Sequence, residues 1–205
     1  MEPVESPVRA EGVKTKRVNA IVLVAAAMLA GPGALAQAPA YPTKPIKLVV
    51  PFSPGGASDL TARTLAQKMG ESMGQSIVVD NKPGANGVLG IELVAKSPPD
   101  GYTILLTDRG SLTVNPSLYQ KLPYDPLKDF SYIGIATDGP YVLVANPKLN
   151  VKTVKELVAL SKSKPGTISY SSFGIGSMAQ LNLEAFNQKM GTDMLHVPYK
   201  GAAPA

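Results

Sequence analysis

The sequence predicts an α/β fold in two lobes, the second left incomplete at Ala205. Three observations carry this. Apolar, strand-like runs alternate with segments of helical periodicity, the βαβ pattern of a parallel sheet with covered faces. A glycine-bearing strand-to-helix turn, Pro51-Phe52-Ser53-Pro54-Gly55-Gly56-Ala57-Ser58-Asp59, stands in the first half. A second, Ser172-Phe173-Gly174-Ile175-Gly176-Ser177, stands in the second half, so the plan repeats.

Taken in order, Lys14, Lys16 and Arg17 lead into an apolar run from Val18 to Ala30. Gly31-Pro32-Gly33 breaks any helix, and Ala34-Leu35-Ala36 has the small-x-small form of a cleavage site. This is the three-part pattern of a secretory signal peptide over residues 1–36, cut after Ala36 to expose Gln37. The apolar run is short of the ~20 residues a membrane span needs. The first dozen residues are long and acidic for the start of such a peptide, which leaves the true start codon open.

The first lobe spans 37–140. Ile46, Leu48, Val49 and Val50 read as a buried strand, and apolar positions from Leu60 to Met73 recur at helical spacing with Gly74 as C-cap. Ile77 to Val79 is a second strand, and 81–87 (Asn-Lys-Pro-Gly-Ala-Asn-Gly) a turn-rich loop. A short helix from Val88 to Lys96 is stopped by Pro98-Pro99, and Tyr102 to Thr107 is a third strand. Functional loops then gather at the strands' C-terminal ends, at Ser53–Asp59, Asn81–Gly87 and Asp108–Ser111. Asn115-Pro116 starts a helical turn through Tyr119. Phe130 to Ala136 and Tyr141 to Ala145 read as two further strands, with the crossing into the second lobe between 137 and 147.

The second lobe, 141–205, has Thr153-x-x-Glu156, a capping-box signature opening a helix that Pro165-Gly166 ends. Ile168 to Ser171 is a strand. Ser177-x-x-Gln180 is a second capping box, opening a helix to Met190 with Gly191 as its cap. Met194 to Val197 is the last strand.

Composition narrows the function. Apolar residues make up 44% of the 205, enough for a real core. The absence of cysteine removes thiolate chemistry, disulfides and sulfur-ligated metals. His196 is the sole histidine, which argues against a histidine-rich metal site or a conventional catalytic triad. Net charge is +5, without a basic cluster interleaved with aromatics, so nucleic acid is not the expected partner. The turn at 51–59 offers helix N–H groups and the positive end of a dipole to an anion. Equally, Gly55-Gly56 simply makes the turn while Ser58 or Asp59 caps the helix.

The motifs are more specific than the plan. The stretch 41–59 (Tyr-Pro-Thr-Lys-Pro-Ile-Lys-Leu-Val-Val-Pro-Phe-Ser-Pro-Gly-Gly-Ala-Ser-Asp) closely resembles the opening of the Bug-type periplasmic binding proteins of tripartite tricarboxylate transporters. So do 81–87, Pro-Asp-Gly-Tyr-Thr (99–103), Asn-Pro-Ser-Leu-Tyr (115–119) and Leu-Pro-Tyr-Asp-Pro (122–126). In the second lobe the resemblance continues through Tyr-Ser-Ser-Phe-Gly-Ile-Gly-Ser (170–177) and His-Val-Pro-Tyr-Lys-Gly-Ala-Ala-Pro-Ala (196–205).

The resemblance implies a two-lobed, type II-like periplasmic binding protein that closes on a small carboxylate. It would bind without chemistry, cofactor or metal, as a monomer, and serve integral-membrane transporter subunits. Carried over, the ligand-binding set is Phe52, Ser53, Pro54, Gly55, Gly56, Ala57 and Asp59 from the first turn, and Asp108, Arg109, Gly110 and Ser111 after the third strand. The second lobe adds Phe173, Gly174, Ile175, Gly176, Ser177 and Met178, bordered by Tyr199, Lys200 and Gly201. Such a clamp of backbone donors dispenses with a lysine in the cleft. Asp108-Arg109 departs from the family's pattern: Arg109 pairs with a ligand carboxylate, or Asp108 neutralises it or favours a ligand amine. In this family, the segment that would follow 205 completes the second lobe and returns to the first.

The rival reading is an exported or mislabelled dinucleotide-binding α/β enzyme, with Asp80 at the end of strand two as the ribose-binding acid. Its turn lacks the spaced three-glycine fingerprint. Ser177 as a nucleophile has only His196 as a potential base, and His196 in an apolar strand reads as structural.

Overall fold

Among the described residues, five β-strands form two parallel sheets. A computed structural model describes residues 41–205; the signal-peptide reading, with its cleavage after Ala36, lies outside the described residues. The first sheet contains β1 (Ile46–Val50), β2 (Ile77–Asn81) and β3 (Thr103–Leu105) in the order β2-β1-β3. Ile46 lies opposite Ile77 and Val50 opposite Asn81, while Lys47 pairs with Thr103 on the other side. Flanked on both edges, β1 is the most buried strand: Ile46, Leu48, Val49 and Val50 are each at most 3% exposed. That is why it reads as an apolar run broken only by the exposed Lys47.

Helix α1 (Ala57–Met73) covers one face, where Ala62 and Ala66 meet Leu48, Val50 and Phe52. Helix α2 (Val88–Ala95) covers the other, where Val88 and Ile91 pack with Tyr124, Leu105 and Phe130. Each large apolar side chain buried in this way contributes about 1.5–3 kcal/mol. Two short helices, α3 (Arg109–Thr113) and α4 (Asn115–Leu118), follow β3.

The second sheet pairs β4 (Ser169–Ser172) with β5 (Leu195–Pro198), Ser172 standing opposite Pro198. Helix α5 (Val154–Ser163) opens with the expected capping box: Glu156 N–H donates to Thr153 Oγ1 (3.2 Å) and Thr153 N–H to Glu156 Oε2 (3.3 Å). Helix α6 (Met178–Met190) runs to Gly191 in the left-handed conformation. Its N-cap Ser177 accepts from Gln180 N–H (3.4 Å), but Gln180 Oε1 accepts from Gly176 N–H (2.7 Å), so the reciprocal half of the box is displaced by one residue.

Three expectations need correction. Helix α1 begins at Ala57 with Gly56 as N-cap and no side-chain cap, so neither Ser58 nor Asp59 is the capping residue. The loop expected at 108–111 is largely the start of α3, because Asp108 caps it by accepting from Ser111 N–H at 2.7 Å. The strands expected at 130–136 and 141–145 do not form. Ile133, Ile135 and Val144 are more than 80% exposed. β-Propensity expresses fit to a pleated, half-buried surface; among the described residues neither run has a partner strand, and Gly134 interrupts the first while Gly139-Pro140 separates the two.

Candidate functional site

The C-terminal ends of β1, β2, β4 and β5 converge on one cavity of about 240 Å³. Pro51 and Phe52 leave β1, Gly84 to Gly87 follow β2, Phe173 to Ile175 follow β4, and Pro198 to Lys200 end β5; Tyr119, after α4, completes the wall. The volume corresponds to about eight waters, or a small organic acid. Lys200 is the one lining residue with a formal charge at neutral pH. A larger groove of about 600 Å³ runs along α1 and β2, lined by residues such as Arg63, Gly70 and Gly74. It involves the start of β2, away from the strand ends where α/β sheets place ligands.

A buried polar chain backs the cavity. Tyr124 Oη donates to the Ser111 carbonyl (3.1 Å). Asn115 Nδ2 donates to Tyr124 Oη (3.0 Å) and to the Asn86 carbonyl (3.2 Å), and Asn86 Nδ2 donates to Asn115 Oδ1 (2.9 Å). Asn115 is fully buried, and Asn86 is 6% exposed. Burial pushes the Tyr124 phenol above its ordinary pKa, keeping it the donor this chain needs. Among the described residues, Asn86 Oδ1 and Ser111 Oγ meet no hydrogen-bond partner.

The first turn is closed from within. Asp59, 3% exposed, accepts from Gly55 N–H (2.9 Å), Arg63 Nε (3.0 Å) and Asn81 Nδ2 (3.0 Å). The hydrogen bond from Arg63 is the main reason its pKa falls below the ordinary value, against the opposing effect of burial. The chain's own carboxylate therefore sits at the positive end of α1. Ala202 and Ala203 pack over Gly56 and Gly55. Ser53 N–H (3.2 Å) and its hydroxyl (2.7 Å) both donate to the Lys200 carbonyl.

Of the expected ligand set, Phe52, Phe173, Gly174, Ile175, Tyr199 and Lys200 line the cavity. Ser53 and Gly201 meet beside it: a Cβ at Gly201 would lie 3.0 Å from Ser53 N. Pro54, Gly55, Gly56, Ala57 and Asp59 belong to the turn off the cavity wall, where Gly56 and Asp59 are buried and Pro54, Gly55 and Ala57 are exposed. Gly176 packs on Leu118, where a Cβ would come within 2.2 Å, and Gly110 packs on Met178. Ser177 and Ser111 are buried, and Asp108 and exposed Arg109 stay off the cavity wall. Asp108 spends its carboxylate on the α3 cap.

His196 approaches Ser172 rather than Ser177, with Nε2 2.6 Å from Ser172 Oγ, and its ring stacks on Tyr170. Asp80, the expected ribose acid, pairs with Lys82 at 3.2 Å. Residue-level reasoning missed Gly84 to Gly87, Tyr119 and Pro198. The signal for the first group was present, since the loop at 81–87 follows a strand and carries Asn-Gly, but no side chain in it was singled out.

Comparison with known proteins agrees with this architecture. The profile of the family described as "Tripartite tricarboxylate transporter family receptor" matches residues 61–205. Protein BugT of Bordetella pertussis is 40% identical over 185 residues, which are 90% of this chain and 56% of that protein. Among solved structures, the periplasmic binding protein BugD matches with a TM-score of 0.71 at 37% identity, over 80% of this chain and 55% of that one. MatC from Rhodopseudomonas palustris with bound malate matches with a TM-score of 0.74 at 30% identity, over 80% of this chain and 56% of its own. The chain thus spans little more than half the length of these relatives. Sequence motifs, parallel α/β sheets and these matches together show that the chain belongs to the tripartite tricarboxylate transporter receptor family.

Proposed function

We propose that this chain is a ligand-capturing part of an extracytoplasmic solute receptor, which binds a small carboxylate and presents it to integral-membrane transporter subunits. The observation that carries the reading is the convergence of four strand ends on a single small cavity with Lys200 on its wall. The malate of MatC is a ligand of the size and charge that such a cavity suits. In this reading the two sheets are the cores of two lobes, 37–140 and 141–205, and the cavity is the cleft between them. Capture needs no bond to be made or broken: strand-end loops supply hydrogen bonds, Phe52 and Phe173 exclude water, and Lys200 stabilises the anion. The remaining members of the expected site support this wall from behind. The protein acts as a monomer in the periplasm, after export by its N-terminal segment.

The dinucleotide alternative has a physical obstacle. A pyrophosphate at the 51–59 turn would meet the Asp59 carboxylate, which already takes the Gly55 N–H, beneath Ala202 and Ala203. The test is a thermal-shift screen of the purified chain against mono-, di- and tricarboxylates, with NAD alongside. Stabilisation by one class of acid supports the reading; stabilisation by NAD, with none by any acid, overturns it.

A further inference from the structure

Ser172, at the end of β4, holds two stretches of the cavity wall while staying fully buried itself. Its Oγ lies 3.1 Å from the Gly174 carbonyl and accepts from Gly174 N–H at 3.2 Å. Its own carbonyl accepts from Tyr199 N–H at 3.0 Å. Gly174 has φ +139°, a conformation that favours glycine, and a Cβ there would stand 3.4 Å from the Tyr199 carbonyl. The loop after β4 and the loop after β5 are thus fixed through one residue that does not line the cavity.

His196 decides how that hydroxyl is used. Ser172 Oγ has one proton and three polar neighbours: the Gly174 N–H, the Gly174 carbonyl, and His196 Nε2 at 2.6 Å. The carbonyl can only accept, and the backbone N–H can only donate. All three contacts are satisfied together only when His196 donates from Nε2, which leaves the hydroxyl proton for the carbonyl. The ring is held for this role. Strand alternation and the register, with Tyr170 opposite His196, put Tyr170, Ser172 and His196 on one face of the sheet. The Tyr170 ring stacks on the imidazole, and its hydroxyl donates to Glu184 of α6.

We propose that His196 and Ser172 are positioning residues for the ligand cavity: the Nε2–H of His196 orients the Ser172 hydroxyl, which presets the backbone of Phe173, Gly174 and Ile175 for binding. Buried beneath the wall, Ser172 Oγ does not reach an occupant, so the pair positions rather than reacts. A wall held in its binding shape avoids the ordering cost of a loose loop. The proposal rests on the carboxylate reading above and adds residues that act on the ligand without touching it.

The test is calorimetric titration of the full chain with lactate, malate and citrate, beside His196→Phe and His196→Gln. Phenylalanine keeps a ring on Tyr170 without its nitrogens, and glutamine offers an N–H close to where Nε2 stands. At a temperature where it is folded, His196→Phe should bind the best of these acids about tenfold more weakly, the scale of one hydrogen bond. His196→Gln should restore most of that affinity. A purely structural role would lower the melting temperature of His196→Phe and leave its affinity at the parent's value. That result would overturn the proposal and leave the carboxylate reading standing, as would equal losses in the two variants. Binding of none of the three acids by the parent would overturn both. Nitrogen-15 NMR of the unmodified chain decides the matter even where a variant folds poorly. His196 is the sole histidine, and its neutral ring should carry the proton on Nε2; a proton on Nδ1 would contradict the proposal.

Discussion

Ser53 donates twice to the Lys200 carbonyl, from its N–H at 3.2 Å and its hydroxyl at 2.7 Å, across 147 positions of sequence. The contact ties the loop after β1 to the end of β5, on either side of the cavity. Ser53→Ala removes the hydroxyl bond and leaves the N–H bond. It should lower stability by about 0.5–1.5 kcal/mol, the usual net value of one hydrogen bond. Thermal melts and carboxylate titration check this; an affinity loss accompanying the stability loss would show that the tie shapes the site.

Asp59 makes stability pH-dependent. Its pKa lies below the ordinary 3.8, chiefly through the hydrogen bond from Arg63. The unfolded chain therefore binds this proton at higher pH than the folded one. The contribution is complete above the unfolded value and is lost as pH falls through the lower folded value. Asp59→Asn should be less stable than the parent at neutral pH, with the gap narrowing as solutions are acidified below about pH 4. Urea denaturation at a series of pH values measures it; a constant gap would contradict the assignment.

Asn115 is the hub of the polar chain, engaging Asn86 twice and Tyr124 once. Asn115→Ala strands the Asn86 amide and carbonyl in a buried setting, at about 1–3 kcal/mol per group left unpaired. The melting temperature should fall by several degrees. Asn115→Asp keeps the acceptor for Asn86 but loses both donations, so it should not restore stability.

Gly176 has φ +84°, and a Cβ there would stand 2.2 Å from Leu118 Cδ2. Gly176→Ala should cost about 1–2 kcal/mol for the left-handed backbone and about 1–3 kcal/mol for overpacking. Leu118 is 45% exposed and has room to rotate outward, which favours the lower end. Adding Leu118→Ala should recover the packing part and none of the backbone part, a separation that a double-mutant cycle measures.

What was legible in the sequence depended on local chemistry. β1 was plain because a central parallel strand is apolar on both faces, and the Thr153–Glu156 cap was plain because its partners lie three residues apart. The runs at 130–136 and 141–145 misled, because strand-like composition says nothing about whether a neighbouring strand is present. In the site, the turns were visible but their occupants were not. Asp59 turning back onto Gly55, and Ala202 and Ala203 lying over the same turn, required folded coordinates. Asn86 went unnoticed because its hydrogen bonds join it to Asn115, 29 positions away, which spacing alone does not reveal.

The central claim is the location of the ligand, and backbone amide shifts during titration of the isotopically labelled chain with malate test it most directly. Saturable shifts should appear at Asn86, Gly87, Gly174, Ile175, Tyr199 and Lys200, while Gly70, Gly74 and Gln75 in the groove along α1 remain unmoved. Saturable shifts confined to that groove would contradict the claim, as would their absence from the cavity with every carboxylate tried.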